Sequence, residues 1–441
     1  METRRVAMAD SSDSESSERG YADALLEYDE PGDYEPAGPE QLGMTVEEAT
    51  FDPVLTTQHA YLGHGEEVSG RTVLEEGSTL ELPLLYDSAV MLIPGQTLPL
   101  TLFHPAAVAM VRRAIAHNKT FGFINENCVR PDGSAEPTIG TTAEIYEVRD
   151  ESQDAYTAFS IKAKGRQRFR LVSTRTTVDG TRVGTVHILA DVLPAGPFAL
   201  SRPGSLWRQR LSASPRRAGR EAAVAGWPDW LYQMYDVQRV AARAHADARR
   251  CLLCSAEAVP TDPVKLSYWV AMNLPIDDTY RAMLMRLDSV VRRLRCEISI
   301  MQSFNVMHCA ECDQPVASSD EMFAMSADGP QSIFVNPNGH LHETLTLRRA
   351  IGLRCITRPS AEFCWFPGYL WEIAQCVRCS QHMGWRFTAG SAELRPHSFW
   401  AVCRRSLAAK RTAAPGPGRR GARPPPAGAG PSRHALSRLV L

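Results

Sequence analysis

Paired cysteines carry the most specific chemical signal in this sequence. Three pairs have the spacing Cys-x-x-Cys, which brings two thiolates of one turn onto one metal ion. Two such turns complete a tetrahedral shell of four thiolates around zinc, at about 2.3 Å per bond. The pairs are Cys251/Cys254, Cys309/Cys312 and Cys376/Cys379.

The second and third pairs both lie in the C-terminal part of the chain, so we predict that they share one Zn²⁺. Four protein ligands leave no open coordination position, which indicates a structural ion. Two unrelated thiol pairs are the alternative. The first pair lies in the helix-like run ARRCLLCSAE without a partner pair, and we interpret it as two buried thiols. The predicted ligands are Cys309, Cys312, Cys376 and Cys379.

Aromatic residues are concentrated in the same region, where four of the eight tryptophans fall between residues 365 and 400. One interpretation is core filling around a small zinc domain. The other is an aromatic cage that holds a flat or cationic ligand. The run WFPGYLW favours the cage, because Pro367-Gly368 forces a turn that displays Trp365, Tyr369 and Trp371 from a loop.

Short apolar runs separated by turns position these residues. From Leu80 they predict an all-β unit around one helix, formed by HPAAVAMVRRAIAH, with a hairpin at Lys164-Gly165. After Asp277 the apolar residues recur every three or four positions as far as Met301, which predicts one amphipathic helix. Strand-like runs then return, and Asn338-Gly339 is a strong tight-turn signal.

Charge is distributed unevenly along the 441 residues, although the formal net charge is only −2. Residues 1–52 carry 15 acidic residues and 3 arginines, and residues 404–441 carry 9 basic residues and no acidic one. We expect both ends to be disordered. The remaining body has a net charge of only +1, which argues against an extended nucleic-acid surface.

Membrane insertion and secretion are not expected, because no apolar run reaches about 18 residues and the acidic, Ser-rich start lacks the apolar core of a signal peptide. We therefore expect an intracellular protein, in the cytoplasm and nucleus. In that reducing environment the 11 cysteines are better explained by metal binding or buried thiols than by disulfides.

Seven sequence runs resemble the cereblon family over residues 50 to 403. That family supplies substrate receptors of the cullin-4 RING ubiquitin ligase, so the resemblance implies a non-catalytic receptor that captures degron-bearing proteins or thalidomide-like cyclic imides. The runs are MLIPGQTLPLTLFHP, GTTAEIYEV, KAKGRQRFR, GWPDWLYQMYD, NLPIDD, NPNGHLHETLT and RPSAEFCWFPGYLWEIAQCVRCSQHMGW.

The resemblance implies an α+β multidomain fold: a Lon N-terminal-like β domain, a helical segment that docks on the DNA damage-binding β-propeller adaptor, and a zinc-bearing β-tent domain of the thalidomide-binding type. The adaptor in turn would connect the chain to cullin-4 and the RING protein. The expected divisions are 1–50 (disordered, acidic), 51–191 (Lon-like), 192–303 (helical), 304–403 (zinc and imide binding) and 404–441 (disordered, basic).

Site residues follow from the same resemblance. Three tryptophans would form the walls of the imide pocket, Phe387 its floor, and Asn336, Glu362 and Tyr369 its rim. Where the family has His-Ser after the glutamate, this chain has Phe363-Cys364, so only backbone contacts at residue 363 carry over. The expected pocket is Asn336, Glu362, Phe363, Trp365, Tyr369, Trp371, Trp385 and Phe387. The expected adaptor contact, rich in aromatic hot-spot residues, is Trp227, Trp230, Leu231, Tyr232 and Tyr235.

Three other functions make different demands on the sequence. An ATP-dependent protease needs a Gly-Lys phosphate loop, and none of the five lysines follows a glycine. A methionine sulfoxide reductase-like oxidoreductase would need an activated thiolate at Cys355, Cys364 or Cys403. A methyl-lysine reader would use the same cage for cation–π capture. The last two are kept as alternatives.

Overall fold

The computed structural model of the protein describes residues 49–68, 73–130, 136–150, 159–194, 234–252, 259–303 and 305–410. Within these ranges the helices are α1 (Pro53–Thr57), α2 (Pro105–Ala116), α3 (Val237–Leu252), α4 (Pro263–Asn273), α5 (Asp278–Arg286) and α6 (Val290–Ser303). The strands are β1 (Glu66–Glu67), β2 (Thr79–Asp87), β3 (Thr97–Leu102), β4 (Thr120–Asn125), β5 (Ile139–Asp150), β6 (Phe159–Thr176), β7 (Arg182–Ile188), β8 (Val306–Cys309), β9 (Pro315–Ser318), β10 (Gln331–Val335), β11 (Leu341–Leu347), β12 (Leu353–Cys355), β13 (Tyr369–Cys376), β14 (His382–Ala389), β15 (Ser398–Cys403) and β16 (Leu407–Lys410).

The first β domain is a seven-stranded sheet in the order β1-β5-β4-β2-β7-β6-β3. Because β5 also pairs with β6, five of its strands form a closed ring. Helix α2 packs on this sheet through Met110, Val111 and Ala114, which confirms the helix predicted from the spacing of its apolar residues.

The hairpin predicted at Lys164-Gly165 is wrong, because β6 runs through both residues without a turn. Gly165 instead allows a close backbone approach. Its N–H donates to the Gln96 carbonyl, its carbonyl accepts from the Gly95 N–H, and a Cβ on it would lie 2.6 Å from the Ile93 carbonyl oxygen. The glycine therefore marks a crossing of two chain segments inside the domain.

The single helix predicted after Asp277 is two helices, α5 and α6. Asp277 begins α5 as predicted, accepting the Tyr280 N–H with its side chain. Helix α5 ends where Arg168, on β6, contacts the chain. Nη1 of Arg168 donates hydrogen bonds to the carbonyls of Met285 and Leu287 at 2.8 and 3.2 Å. This tertiary contact breaks an apolar pattern that is continuous in the sequence.

The last domain holds a six-stranded antiparallel sheet in the order β10-β11-β15-β14-β13-β12 and a three-stranded sheet in the order β16-β8-β9. The boundary predicted at residue 404 is wrong, because β16 pairs with β8 and the domain extends at least to residue 410. Arg404 is buried and paired with Glu343, which a count of basic residues could not reveal. The predictions of disorder for residues 1–48 and 411–441 lie outside the described residues.

A buried ionic junction joins the three parts of the molecule. Glu343 on β11 accepts hydrogen bonds from Arg281 of α5 and from Arg404, the latter at 2.7 Å. Gln96, just before β3 of the first domain, donates to the same carboxylate at 3.4 Å. None of the helices in the described ranges is long and apolar enough to span a membrane.

Candidate metal centre and aromatic cage

Two knuckles of equivalent geometry carry the four predicted metal ligands. In the first, Cys309 ends β8, and its carbonyl accepts the Asp313 N–H at 3.0 Å. In the second, Cys376 ends β13, and its carbonyl accepts the Ser380 N–H at 3.0 Å. Asp313 and Ser380, each four residues after the first cysteine, have φ of 63° and 62°. Both turns therefore fold their Cys-x-x-Cys thiols toward the same side.

The four thiols converge on one point, with every pair of sulfurs within 4.8 Å. The Sγ atoms of Cys309 and Cys379 are 3.7 Å apart, and those of Cys312 and Cys376 are 3.5 Å apart. A tetrahedral zinc with bonds of about 2.3 Å separates its sulfurs by about 3.8 Å. The cluster predicted from the spacing is confirmed, and its size fits one tetrahedral ion.

The surroundings shift the pKa values of these thiols in different directions. Burial raises the pKa of Cys309 and, to about 12, that of Cys312. Burial acts on Cys376 in the same direction, but backbone N–H groups of Cys379 and Arg378 outweigh it and lower its pKa to about 7. Amide donors directed at a sulfur are the environment that a metal-bound thiolate needs.

The cage residues lie on one face of the six-stranded sheet. Trp371 on β13 is paired with Phe387 on β14, and Trp385 lies two residues before Phe387, so all three share that face. The indole of Trp365 meets that of Trp385 edge to face at 4.6 Å. The indole N–H of Trp371 donates to the Glu362 carbonyl at 2.8 Å. Phe387 is buried, as a floor would be.

Tyr369 does not occupy the rim, so this prediction is wrong. Its side chain is buried, its hydroxyl donates to the Pro396 carbonyl at 2.8 Å, and its ring packs edge to face against Phe51 and Phe399. Burial also raises the pKa of the phenol. The residue supports the sheet from within the core. The PG turn that seemed to display it instead leads straight into β13.

Two residues of the predicted pocket, Phe363 and Asn336, lie in distinctive local structures. Phe363 has φ of 50°, a left-handed conformation that is rare for a bulky residue, and its side chain is 67% exposed. Asn336 folds the β10–β11 turn, because its side-chain oxygen accepts the N–H groups of Asn338 and His340. Gly339, with φ of 80°, confirms the predicted tight turn.

Two residues that contact the cage, Phe334 and His342, were not predicted from the sequence. Phe334 on β10 stacks on Trp365 at 4.7 Å and an interplanar angle of 6°. His342, opposite Phe334 on β11, lies 5.0 Å from the ring of Trp385. Burial is the largest cause that lowers the pKa of His342 to about 4, so its imidazole is neutral near pH 7. The alternation of histidine with other residues in HLHET was the available sequence signal.

Comparison with known proteins gives the family. Residues 81–303 match the ATP-dependent protease La (LON) substrate-binding domain. Protein cereblon of Gallus gallus is 41% identical over 382 residues, which cover 81% of this chain and 84% of that protein. The chain belongs to the cereblon family. Protein cereblon of Danio rerio is likewise 41% identical over 81% of this chain and 87% of its own length.

More distant cereblons match the same extent of this chain. Protein cereblon of Drosophila melanogaster is 28% identical over 81% of this chain and 62% of its own length. The solved N-terminal domain of the Mycobacterium avium complex Lon protease aligns with a TM-score of 0.33 at 16% identity, over 51% of this chain and 98% of that domain. A TM-score this low does not establish a shared fold.

The thiols that the oxidoreductase alternative requires have raised pKa values, whereas a nucleophilic thiol needs a lowered one. Burial raises the pKa of Cys355, that of Cys364 to about 11 and that of Cys403 to about 12. Cys364 also donates to the Phe366 carbonyl. A reductase nucleophile needs a lowered pKa, so this alternative loses its chemical basis.

The predicted adaptor contact lies mostly outside the described residues, which contain only one of its five members. Tyr235 is 49% exposed, and the guanidinium of Arg295 lies 4.7 Å from its ring centroid. The contact stays a prediction. The residues outside the described ranges are Trp227, Trp230, Leu231 and Tyr232.

Proposed function

We propose that this member of the cereblon family is the non-catalytic substrate receptor of a cullin-4 RING ubiquitin ligase, active in the cytoplasm and nucleus. Its last domain captures a degron or a cyclic imide, and its helical segment docks on the β-propeller adaptor. The ligase then ubiquitinates the captured protein for proteasomal degradation. The supporting observation is the cage, in which Trp365 and Trp385 meet at 4.6 Å and Trp371 shares their face of the sheet.

A cyclic imide fits the chemistry of this cage. Its ring faces are apolar and would stack on indoles, and its edge presents C=O, N–H and C=O in a row. The indole N–H of Trp371 is already bonded to Glu362, whereas that of Trp365 has no hydrogen-bond partner among the described residues. Phe363 follows Glu362, whose carbonyl bonds Trp371, and its strained backbone supports a role for its own N–H and carbonyl in pairing the imide edge.

Titration with a glutarimide and with its N-methyl derivative tests this recognition. A buried polar edge left unpaired costs about 1–3 kcal/mol, so N-methylation should weaken binding by about tenfold or more. Trp371→Ala should also weaken binding strongly, and Phe363→His should change it little because only its backbone takes part. If the N-methyl compound bound as tightly as its parent, the cage would not read an imide. A trimethyl-lysine peptide as the tighter ligand would favour the methyl-lysine reader.

The metal of the four-cysteine site is proposed to be one structural Zn²⁺. The thiolate donor set and the sulfur separations of 3.5 and 3.7 Å suit tetrahedral zinc. Cys309, Cys312, Cys376 and Cys379 would hold it, and it would connect the end of β8 to the end of β13. No chemical step of the receptor requires it.

Affinity purification from cells tests the assembly. The protein should recover the adaptor, cullin-4 and the RING subunit, and Trp230→Ala together with Tyr235→Ala should abolish that recovery. The double variant should keep its imide affinity, since the cage lies in another domain. Adaptor recovery that survives in the folded double variant would put the docking surface elsewhere. Direct membrane or nucleic-acid partners are not part of the proposal.

A further inference from the structure

One segment of the chain, residues 50–68, binds both β domains and is here called the strap. At its start the Thr50 hydroxyl donates to the Glu393 carbonyl, and the Phe51 N–H donates to the Arg395 carbonyl. At its end β1 pairs with β5 of the first domain. The strap therefore connects the last domain to the first.

Contacts in the middle of the strap alternate between the two domains. The Gln58 carbonyl accepts a hydrogen bond from Nζ of Lys162, on β6 of the first domain, at 2.8 Å. The Tyr61 hydroxyl accepts the Val335 N–H, on β10 of the last domain, at 3.0 Å. His59 lies between these two contacts along the chain. A change at this histidine therefore acts on the attachment of the strap to both domains.

The side chain of His59 is buried against aromatic rings. It is 2% exposed, and its ring lies edge to face at 5.8 Å from that of Tyr61 and at 5.9 Å from that of Phe334. Burial keeps the Tyr61 phenol neutral by raising its pKa, and β10, which carries Phe334, has no titratable side chain. Nδ1 of His59 is buried and has no hydrogen-bond partner among the described residues. An imidazolium carries an N–H on both ring nitrogens, so protonation would bury a charged donor without an acceptor.

Two lysines of the first domain face the histidine. Lys162 pairs with Glu147 at 2.9 Å, and Lys164 lies 3.7 Å from Asp328, so each of these carboxylates is engaged by a lysine. The positive charges of Lys162 and Lys164 oppose a third one at His59. Burial is the largest cause, and with these two charges it lowers the pKa of His59 to about 3. The imidazole is therefore neutral near pH 7 while the strap is docked.

We propose that protonation of His59 detaches the strap from Phe334 and from β6, and so loosens the connection between the two β domains. A histidine in water has a pKa of about 6.5, so the detached strap takes up a proton that the docked strap does not hold. Acid therefore favours detachment, and the docking equilibrium should weaken about tenfold between pH 7.5 and pH 5.5. Glu343 becomes protonated in a lower range, toward its pKa of about 2, which separates the two effects. This inference goes beyond the receptor function and does not depend on imide recognition.

Hydrogen exchange of the full-length protein tests this detachment, when each rate is divided by the intrinsic rate at the same pH. In the wild type, protection of residues 54–62 should fall about tenfold from pH 7.5 to pH 5.5. The Val335 N–H should lose protection in parallel, because its acceptor is the Tyr61 hydroxyl. Protection in β4, inside the first domain, should stay constant, which excludes general unfolding.

Two histidine variants assign the pH dependence to one side chain. His59→Asn is uncharged and tolerates the left-handed φ of 50°, so its protection should not fall over this pH range. The matched control His64→Asn removes an exposed histidine of the same strap and should behave as the wild type does. An equal fall in His59→Asn, or constant protection in the wild type, would overturn the proposal.

A permanent charge at the same position supplies the converse test. His59→Lys is positively charged at pH 7.5, so its strap should already show the low protection that the wild type reaches at pH 5.5. Its protection should not change between these pH values, and its metal content should equal that of the wild type. Wild-type protection in His59→Lys at pH 7.5 would contradict detachment by charge, as would exchange in β4 that accelerates as much as exchange in the strap.

Discussion

Replacing the single residue Cys376 tests the four-cysteine metal centre. It is buried at the end of β13, and its sulfur lies 3.5 Å from that of Cys312. We expect the wild type to carry one zinc per chain and Cys376→Ser to carry none. Structural zinc contributes roughly 10–16 kcal/mol of apparent binding free energy in small modules, so the last domain should unfold in the variant. Metal analysis and thermal melting measure both effects.

Cys355→Ser is the control for this experiment, because Cys355 belongs to the same domain but not to the four-cysteine cluster. It should keep the zinc and melt near the wild-type temperature. Full zinc content in Cys376→Ser would show that the cluster does not hold the ion.

Tyr369 provides a second test, because its buried position contradicts the rim role that the family resemblance implied. Tyr369→Phe removes the hydrogen bond to the Pro396 carbonyl, which should cost about 1 kcal/mol of unfolding free energy. Imide affinity should stay at the wild-type value. Chemical denaturation and ligand titration on the same preparations separate the two effects, and a tenfold loss of affinity would return Tyr369 to the site.

The sequence predicts some residues of these sites better than others, for a physical reason. The cysteine ligands repeat a local spacing, and each pair is folded by its own turn, so the sequence alone identifies them. Phe334 and His342 join the cage only because β10 and β11 pair in one register and the Trp365 loop folds back over them. That proximity depends on contacts between residues about 30 positions apart, which no local pattern records.

At the scale of elements, the break between α5 and α6 depends on one buried side chain. The guanidinium of Arg168 contacts carbonyls at the end of α5 and the carboxylates of Asp191 and Asp288, both at 3.1 Å. The apolar spacing from 280 to 301 predicted a continuous helix because helical periodicity persists across the break. The competing interaction comes from β6, more than a hundred residues earlier.

Arg168→Leu should therefore destabilise the junction of the first domain with the helices. It removes the Arg168 donor from the Met285 carbonyl and deprives Asp191 of one of its two arginine partners, the other being Arg293. Removing one partner of a buried ion pair typically costs about 3–5 kcal/mol. Urea denaturation measures the loss. Arg175→Leu, at an exposed pair with Glu81, is the control and should leave the midpoint unchanged.

At the scale of the whole molecule, Glu343 is the residue on which the three parts converge. It lies on β11, whose neighbouring residue His342 faces the cage, and it binds Arg281 of the helices and Arg404 beyond the predicted end of the domain. No sequence pattern distinguishes the acidic and basic residues of this junction from surface charges. Their burial follows from the packing of three segments, which composition does not encode.

Low pH should weaken the ion pairs of Glu343 over a defined pH range. Burial alone would raise the pKa of Glu343, but the charges of Arg281 and Arg404 outweigh it and hold the pKa at about 2. Because this value lies below that of the unfolded chain, the ionised carboxylate stabilises the fold above about pH 4.5, and the contribution is lost as the pH falls toward 2. Glu343→Gln should lack that part of the acid dependence.

The same variant should be less stable at neutral pH, because two buried guanidinium groups lose their shared anion. The expected loss is about 3–5 kcal/mol. Denaturant midpoints from pH 7 to pH 2 measure it, and the wild-type and variant curves should converge as the pH falls from about 4.5 toward the folded-state pKa of Glu343 at about 2. Glu81→Gln, at the exposed pair, should run parallel to the wild type across this range. If the stability curves of Glu343→Gln and the wild type stay parallel across this pH range, ionisation of Glu343 does not stabilise the contact between the domains.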